Sequence, residues 1–247
     1  MLAVIMAGGE GTRLRPYTQV IPKPLLPVGE KPILEILIRQ LCNEGFEHLI
    51  ITTGYQGDLI KAYFQDGSRW GARIEYTTER VKMGTVGALS LITEQIHEPF
   101  LIINGDILTD LRLRQFMETH VSQKGILTIG LVRFKLDIPY GVVKSNGRIF
   151  ESIEEKPRYF FQVGAGIYGA SPGVLRYIQG EKKMDFPELI GVLKRAGESV
   201  HCVEITEYWK DIGIMEDFET VNKEIGTWSE ERLYHCWSAI ERGVEVP

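Results

Sequence analysis

A glycine-rich loop directly after an apolar strand is the feature that most constrains this chain. Residues 2–7 form a short apolar run that predicts a buried strand, and the loop at residues 8–16 follows at once. Glycines at this place let the backbone approach a ligand without interference from Cβ atoms, and the loop N–H groups can converge on phosphate oxygens. Arg13 and Lys23 add fixed positive charge nearby. The layout predicts a site for a nucleoside triphosphate.

Two known glycine motifs fit this loop poorly. A P-loop ends in Gly-Lys-Ser/Thr, whereas residues 11–13 read Gly-Thr-Arg. A dinucleotide fingerprint needs a third glycine where Leu14 stands and an acidic residue at the end of the second strand, where residues 52–53 are both threonine. A dinucleotide-dependent oxidoreductase therefore stays a distant alternative. The prolines on either side of Lys23 hold that lysine on a stiff segment, which favours a different phosphate-binding loop.

Composition narrows the class of protein. The net charge of −5 gives no basic excess of the kind that nucleic-acid-binding domains show. The three cysteines are scattered without metal-ligand or redox spacing, which is typical of free thiols. No apolar stretch reaches the length of a membrane span, and the N-terminus lacks the basic region of a secretory signal. We expect a cytoplasmic protein that acts on small molecules, without nucleic-acid or membrane partners and with a homo-oligomer left open.

The order of predicted elements indicates the fold class. Over the first 125 residues, strand and helix patterns alternate: strands at residues 2–7, 48–53, 73–78 and 100–103, and helices at residues 32–44, 58–64 and 85–96. Such alternation predicts an α/β fold with a doubly wound, mostly parallel, Rossmann-like central sheet, in which ligands bind outside the carboxyl ends of the strands.

The pattern changes after about residue 125. Strands linked by short turns are expected at residues 126–134, 141–145, 148–155 and 163–170, which predicts a smaller, mixed or antiparallel sheet on the substrate side. Further on, helices are expected at residues 172–178, 187–195 and 215–224, with a strand at residues 199–204. We expect a single domain over residues 1–226, with a nucleotide half at about 1–125 and a substrate half at about 126–226. Residues 227–247 should form a C-terminal packing helix.

A series of short motifs follows in a fixed order between residues 2 and 225. They are the loop and lysine segment at residues 7–18 and 22–28, Met-Gly-Thr-Val-Gly-Ala-Leu at 83–89, Asn-Gly-Asp at 104–106, Tyr-Gly-Val-Val at 140–143, Glu-Glu-Lys-Pro at 154–157, Gly-Ala-Gly-Ile-Tyr at 164–168 and Trp-Lys-Asp-Ile-Gly at 209–213. The ordered set resembles the sugar-1-phosphate nucleotidylyltransferases, also called nucleotide-sugar pyrophosphorylases. The resemblance implies transfer of a nucleotidyl group from an NTP to a sugar 1-phosphate, which yields an NDP-sugar and pyrophosphate with the help of Mg²⁺.

The resemblance also implies a role for particular residues. It assigns catalysis to Arg13, Lys23 and Asp106, and ligation of Mg²⁺ to Asp106 and Asp211. It assigns nucleotide binding to Gly8, Gly9, Gly11, Thr12, Gly84 and Thr85, and binding of the sugar phosphate to Gly141, Glu155, Lys156 and Gly166. Without the resemblance, either aspartate reads equally well as a turn or helix-capping residue, and the charged residues 154–156 read as a solvated strand end.

The substrate pair is less sharply specified. Relatives that use dTTP or UTP with glucose 1-phosphate commonly carry Gln-Pro before the glycine equivalent to Gly84, where this chain has residues 81–83 reading Val-Lys-Met. The pattern favours GTP with mannose 1-phosphate or heptose 1-phosphate, although Gly164 replaces an asparagine that is frequent in that branch. A glucose-1-phosphate thymidylyl-, uridylyl- or cytidylyltransferase, a polyol or sialic-type cytidylyltransferase, and a catalytically silent regulatory homologue remain alternatives.

Overall fold

The computed structural model describes residues 1–79, 81–178, 180 and 182–235. Its strands are β1 Leu2–Ala7, β2 Pro27–Val28, β3 Lys31–Pro32, β4 His48–Thr53, β5 Arg73–Thr78, β6 Phe100–Asn104, β7 Ile107–Thr109, β8 Leu127–Asp137, β9 Val142–Asn146, β10 Ile149–Glu154, β11 Arg158–Ala170, β12 Val200–Ile205 and β13 Trp209–Asp211. Its α-helices are α1 Ile33–Asn43, α2 Gly57–Phe64, α3 Gly84–Gly87, α4 Leu113–Gln123, α5 Phe186–Arg195, α6 Met215–Ile225 and α7 Glu230–Tyr234. Short 3₁₀ helices lie at Thr12–Leu14, Tyr17–Gln19, Lys23–Leu25, Ser68–Trp70, Ala88–Gln95 and Pro172–Tyr177.

Within the described residues, a seven-stranded sheet with the order β12-β8-β11-β6-β1-β4-β5 forms the centre of the molecule. β1 is parallel to β4 and β6, β4 is parallel to β5, and β8 is parallel to β12. β11 is antiparallel to both of its neighbours, β6 and β8. The predicted α/β class with a mostly parallel central sheet is confirmed. The long strands of the second half join this sheet, and the small antiparallel pairs are β9–β10, β7–β13 and β2–β3.

Helices cover both faces of the sheet because its central strands are apolar on both sides. Leu34, Leu37 and Leu41 of α1 belong to the core on one face, together with residues of α4. α5 and the 3₁₀ helix Ala88–Gln95 contribute to a second core on the opposite face, where Leu189 is fully buried. Parallel strands that are buried on both faces read as continuous apolar runs, which is the pattern of β1 and β6. The carboxyl ends of these two strands lie side by side, since they pair in register, and the loops that follow them share one edge.

Several predicted elements differ from those observed in detail. The helix expected at residues 85–96 is the single turn α3 followed by a 3₁₀ helix, and the one expected at residues 172–178 is also 3₁₀. Helix α4 has no counterpart among the predicted elements, because most of its residues are polar. Its buried positions Leu113, Phe116, Met117 and His120 nonetheless follow the i, i+3, i+4, i+7 spacing that could have revealed it.

The described residues cover only the first part of the expected C-terminal packing helix. α7 lies at Glu230–Tyr234, and residues 236–247 of the expected packing helix fall outside the described residues. The division into a domain over residues 1–226 and a terminal helix stays a prediction. Across the residues that the structure describes, no helix combines the length and the apolar character needed to cross a membrane.

Candidate functional site

A short antiparallel ladder brings the two predicted metal-binding aspartates together. β7 follows Asp106 directly and pairs with β13, so that Asp211 lies opposite Ile107. The backbone N–H of Ile212 also donates to the carbonyl oxygen of Asp106 at 3.1 Å. The aspartates are far apart in the sequence, and this non-local pairing sets them at the carboxyl edge of the main sheet.

Lys23 lies between the two carboxylates. Its Nζ forms an ion pair with Oδ2 of Asp106 and lies 3.7 Å from Oδ1 of Asp211. Lys23 is only 7% exposed and begins a 3₁₀ turn, with Pro22 directly before it and the buried Pro24 directly after it. A lysine on such a stiff segment loses little conformational freedom when its amine is fixed. The sequence-based prediction of a positioned lysine therefore matches its geometry, while its catalytic role stays a proposal.

The carboxylates retain oxygen atoms that are available to a cation. Oδ1 of Asp106 and Oδ1 of Asp211 are buried, and neither has a hydrogen-bond partner among the described residues. Burial raises the pKa of the Asp211 carboxyl, and the neighbouring charge of Asp106 raises it further, against the lowering effect of Lys23 and Arg13. Buried carboxylate oxygens without partners are costly. A divalent cation would satisfy both oxygens and relieve the repulsion between them.

Two carboxylates are a small ligand set, yet a sufficient one for Mg²⁺. In the described part of the chain, no group of three or more His, Cys, Asp or Glu side chains is arranged to hold a metal ion. Mg²⁺ is commonly held by one or two carboxylates, with phosphate oxygens and water completing its octahedron. The residues therefore fit a hard cation that is shared with a phosphorylated substrate.

Arg13 lies on the Asp211 side of this cluster. It belongs to the 3₁₀ turn Thr12–Leu14, which the fully buried Leu14 anchors. A Cβ atom on Gly213 would lie 3.2 Å from Nη2 of Arg13 and 3.3 Å from Oδ1 of Asp211, so this glycine leaves room for both groups. The structure therefore directs the predicted guanidinium towards the carboxylate cluster.

The glycine-rich loop packs tightly against the lysine segment. Gly11 has a φ of +60°, and a Cβ atom there would lie 2.9 Å from Cγ2 of Thr18 and 3.1 Å from Cβ of Lys23. The hydroxyl of Thr18 donates to the carbonyl oxygen of Gly11 at 2.8 Å. Glycine therefore suits position 11 for two reasons: its backbone is left-handed, and a side chain there would clash with Thr18 and Lys23.

A cavity of about 550 Å³ lies beside the loop. Every residue predicted to bind the nucleotide lines it, and so does Asp106; these nucleotide residues are Gly8, Gly9, Gly11, Thr12, Gly84 and Thr85. The volume is within the range of small-molecule sites. The sequence prediction therefore identified a group of residues that the fold does bring together.

The same cavity contains charged residues that sequence reasoning missed. Asp185 accepts hydrogen bonds from the backbone N–H of Thr85 at 2.9 Å and from its hydroxyl at 3.3 Å. Lys82 forms an ion pair with Glu10 at 2.7 Å, which links the glycine-rich loop to the segment before α3. Burial raises the pKa of the Glu79 carboxyl, which also lines the cavity. Glu10 lies within the predicted glycine-rich loop, and Lys82 directly precedes the motif at residues 83–89. Asp185 and Glu79 lie outside all predicted motifs, so the sequence carried little signal for them.

A second cavity of about 870 Å³ is lined by Asp211 but not by Asp106. Arg13, Asp211 and Gly213 line it, together with Lys210 and the basic residues Arg133 and Lys135. Because Lys23 contacts both aspartates, the carboxylate cluster lies where the two cavities approach each other. Sequence analysis gave no role to Lys210, although it lies within the motif at residues 209–213, and it did not single out Arg133 or Lys135, since isolated basic residues on strands carry no motif.

The residues predicted to bind the sugar phosphate are not gathered in one place. Gly141 and Glu155 are neighbours, because a Cβ atom on Gly141 would lie 2.9 Å from Oε2 of Glu155. Lys156 is exposed, with a φ of +46°. None of these residues is among the described residues that line the two cavities. Gly166 packs against Asn104 instead, where a Cβ atom would come within 2.6 Å of Nδ2. Their role in binding the sugar phosphate stays a prediction.

Three known proteins are similar to this chain over most of its length. Mannose-1-phosphate guanylyltransferase of Mycobacterium tuberculosis is 33% identical over 224 residues, which are 87% of this chain and 62% of the relative. UTP–glucose-1-phosphate uridylyltransferase of Synechocystis sp. is 32% identical over 243 residues, covering 88% of this chain and 61% of that protein. The solved structure of HddC from Yersinia pseudotuberculosis complexed with GMP-PN has a TM-score of 0.71 and 27% identity, and covers 91% of this chain and 99% of that chain.

The curated relatives are longer than the part of them that this chain matches. The chain spans only about 62% of the length of the first of these curated relatives. The family model described as nucleotidyl transferase, however, matches residues 2–227, and this range contains every residue predicted from the motifs. The chain therefore belongs to the nucleotidyl transferase family.

Proposed function

We propose that this protein transfers a nucleotidyl group from an NTP to a sugar 1-phosphate and releases pyrophosphate. One observation carries the proposal: the buried Lys23 lies between the half-buried carboxylates of Asp106 and Asp211, which line two different cavities. The reaction must bring two anions together although they repel each other. A fixed cation and a pair of metal-binding carboxylates at the meeting point of two sites are what such a reaction requires.

The NTP occupies the cavity beside the glycine-rich loop in this proposal. Gly8, Gly9 and Gly11 let the loop N–H groups approach the phosphates. The segment that starts at Gly84 adjoins the nucleobase, and Asp185 holds it in place through Thr85. Because the loop packs tightly on the Lys23 side chain at Gly11, the N–H groups proposed to bind phosphate are held close to the Lys23 side chain.

The sugar 1-phosphate occupies the second cavity, from which Asp211 and Arg13 face the nucleotide. Its phosphate oxygen attacks the α-phosphorus of the NTP in line, and the bond to the pyrophosphate leaving group breaks. Lys23 holds the reacting phosphates against their mutual repulsion. Arg13, which lines the second cavity beside Asp211, adds positive charge that neutralises the charge developing on the reacting phosphates. Glu155 and Lys156 do not line this cavity, and their proposed roles with the sugar hydroxyls and the sugar phosphate rest on the family resemblance alone.

A divalent metal completes the proposed site. Members of this family generally depend on a divalent metal ion. We propose Mg²⁺, held by Asp106 and Asp211, because each carboxylate keeps a buried oxygen that accepts no hydrogen bond among the described residues, and such oxygens suit a hard cation. When bound, the ion would supply positive charge that neutralises phosphate oxygens in the transition state.

GTP with mannose 1-phosphate or heptose 1-phosphate is the proposed substrate pair. In support, one relative is named a mannose-1-phosphate guanylyltransferase, and the related solved structure contains GMP-PN. The chain also lacks the Gln-Pro pair that accompanies thymidylyl- and uridylyltransferases. The relative named as a uridylyltransferase keeps UTP with glucose 1-phosphate as the second candidate pair.

A panel of NTPs and sugar 1-phosphates with Mg²⁺ tests the proposal. We expect pyrophosphate release to be fastest with GTP and mannose or heptose 1-phosphate, and to stop when EDTA is added. Faster release with UTP and glucose 1-phosphate would replace the substrate pair but keep the reaction. No release with any combination would overturn the proposed function.

A further inference from the structure

The ladder that carries the two metal-binding aspartates is very short. Among the described residues, β7 and β13 form a two-stranded sheet of their own. Its residue pairs are Thr109 with Trp209, Leu108 with Lys210 and Ile107 with Asp211. A pair of strands that stands alone is only marginally stable, because its backbone bonds barely offset the entropy of ordering it. Contacts outside the ladder must therefore fix its register.

The register decides whether the two carboxylates can share an ion. A shift by one residue would move Asp211 along its strand by about 3.4 Å and turn its side chain to the other face of the ladder. Mg²⁺ holds each ligand at about 2.1 Å, so two neighbouring oxygens on one ion lie about 3 Å apart. A single-residue shift would therefore separate Asp211 from Asp106.

Asp110 fastens the end of the ladder that lies away from the aspartates. Its backbone N–H donates to the carbonyl oxygen of Tyr208 at 3.2 Å, and the N–H of Tyr208 donates to Oδ1 of Asp110 at 2.6 Å. The hydroxyl of Thr109 donates to the same carbonyl at 2.7 Å. Two of these bonds use side chains, so a shifted register would lose them, whereas backbone bonds alone could re-form in any register.

Arg232 of α7 holds the carboxylate of Asp110 in place. Its Nε and Nη2 donate to Oδ2 of Asp110 at 2.9 Å and 2.7 Å. The guanidinium also lies 3.8 Å from the centre of the Trp228 ring. The Asp110 side chain is only 17% exposed, and hydrogen bonds between charged groups are stronger than those between neutral ones. Both oxygens of Asp110 are thereby engaged, one by β13 and one by α7.

Gln40 of α1 makes a second link between the ladder and α7. Its side chain is fully buried. Its Nε2 donates to the carbonyl oxygen of Thr109 at 3.0 Å and to that of Leu233 at 2.9 Å. The same end of the ladder is thus tied to α7 from the core side as well. The segment that contains Arg232 and Leu233 is therefore coupled to β7 through two separate polar contacts.

We propose that Asp110 and Arg232 are positioning residues for the metal-binding aspartates. Neither lines the two cavities that the described residues form beside the carboxylate cluster. They act by holding β13 in the register that sets Asp211 beside Asp106. The proposal rests on the proposed function for the role of those aspartates, whereas the contacts of Asp110 and Arg232 are a property of the fold. Partners that orient metal ligands commonly change metal affinity or activity by about 10- to 100-fold.

Arg232→Ala tests the proposal, because it frees Asp110 from α7 but leaves its bond to Tyr208. We expect the Mg²⁺ concentration for half-maximal pyrophosphate release to rise about tenfold and kcat to fall, with KM for the NTP at saturating Mg²⁺ unchanged. Arg232→Lys keeps the charge and should recover most of the loss. Arg114→Ala is the matched control, since Arg114 pairs with Glu118 within α4 at 3.3 Å.

Chemical denaturation of the same variants separates lost stability from lost position. An Arg232→Ala protein that is less stable but keeps the wild-type Mg²⁺ requirement and kcat would overturn the proposal, because Arg232 would then serve the fold alone. An equal loss in Arg114→Ala would also overturn it, since that pair does not touch the ladder.

Hydrogen exchange provides a readout that needs no substrate and no turnover. Without metal, the amides of β7 and β13 should exchange faster in Arg232→Ala than in the wild type. In the unmodified protein, Mn²⁺ should slow exchange at the amides of α7, because coupling between two sites is reciprocal. Equal exchange at α7 with and without Mn²⁺ would overturn the proposal, even if the variant does not fold. A wild type that releases no pyrophosphate would overturn the proposed function instead, while exchange would still decide the role of Arg232.

Discussion

The carboxylate cluster and the arm, an exposed hairpin at residues 133–162 that extends beyond the central sheet, offer opposite settings for functional residues. Lys23, Asp106 and Asp211 lie at the edge of a sheet that is covered on both faces, and their neighbours leave them little freedom. Glu155 and Lys156 lie at the end of an exposed hairpin. Positioned, partly buried charge suits stabilisation of a transition state, whereas an exposed strand end suits recognition of a substrate that enters and leaves. The two regions should therefore respond differently to substitution.

The largest effect is expected from Asp106→Asn. Loss of one carboxylate charge leaves transition-state charge unmatched and weakens the proposed metal site, so kcat should fall at least a hundredfold, or about 3 kcal/mol. Steady-state pyrophosphate release measures the change. Asp58→Asn is the matched control, since the side chain of Asp58 is fully exposed, and should retain wild-type turnover. Near wild-type kcat in Asp106→Asn would show that the cluster is not the reacting centre.

A smaller effect is expected from Glu155→Gln in the arm. The substitution removes charge but keeps the shape, so KM for the sugar 1-phosphate should rise about tenfold, or about 1.4 kcal/mol, with little change in kcat. Kinetics with each substrate varied in turn separate the two parameters. A fall in kcat with unchanged KM would place Glu155 with the carboxylate cluster and remove the contrast between the regions.

Asp185→Ala tests whether the hydrogen bond from Thr85 to Asp185 holds the nucleotide cavity in shape. The backbone N–H of Thr85 would lose its acceptor, at a cost of about 1 kcal/mol in the free energy of unfolding, and KM for the NTP should rise. Chemical denaturation and NTP-dependent kinetics measure the two changes. Asp185→Asn keeps an acceptor oxygen and should recover most of the loss; equal damage in both variants would point to charge instead of capping.

The smallest effect is expected in the pH dependence of stability. Because the pKa of Asp211 is raised above 3.8 in the folded protein, the folded state holds this proton more tightly than the unfolded chain does. Its contribution to stability is therefore present below the unfolded pKa and is lost as the pH rises through the folded pKa. Denaturation of the metal-free protein from acid to neutral pH should show this loss in the wild type relative to Asp211→Asn. An opposite slope would mean that Lys23 and Arg13 outweigh burial and Asp106.

The sequence by itself determined the first part of the site. The apolar run of β1, the glycines after it and the prolines around Lys23 act over a few residues, so local backbone chemistry specifies them. The residues predicted for the nucleotide consequently line one cavity, and the alternating pattern of the first half correctly predicted a parallel sheet. Helix α4 shows that even a local signal can be missed. Its buried residues have helical spacing, but most of the residues in the segment are polar.

Only the tertiary structure decided which distant residues meet. Asp106 and Asp211 come together because β7 pairs with β13, and no local pattern encodes a pairing across so much intervening chain. The positions of the basic residues Arg133 and Lys135 and of the exposed arm are likewise set by tertiary structure, because β8 and β11 extend beyond the strands that pair with them in the central sheet. Hydrophobic periodicity fixes which face of an element is buried, whereas the partners of that face follow from the packing of the whole chain.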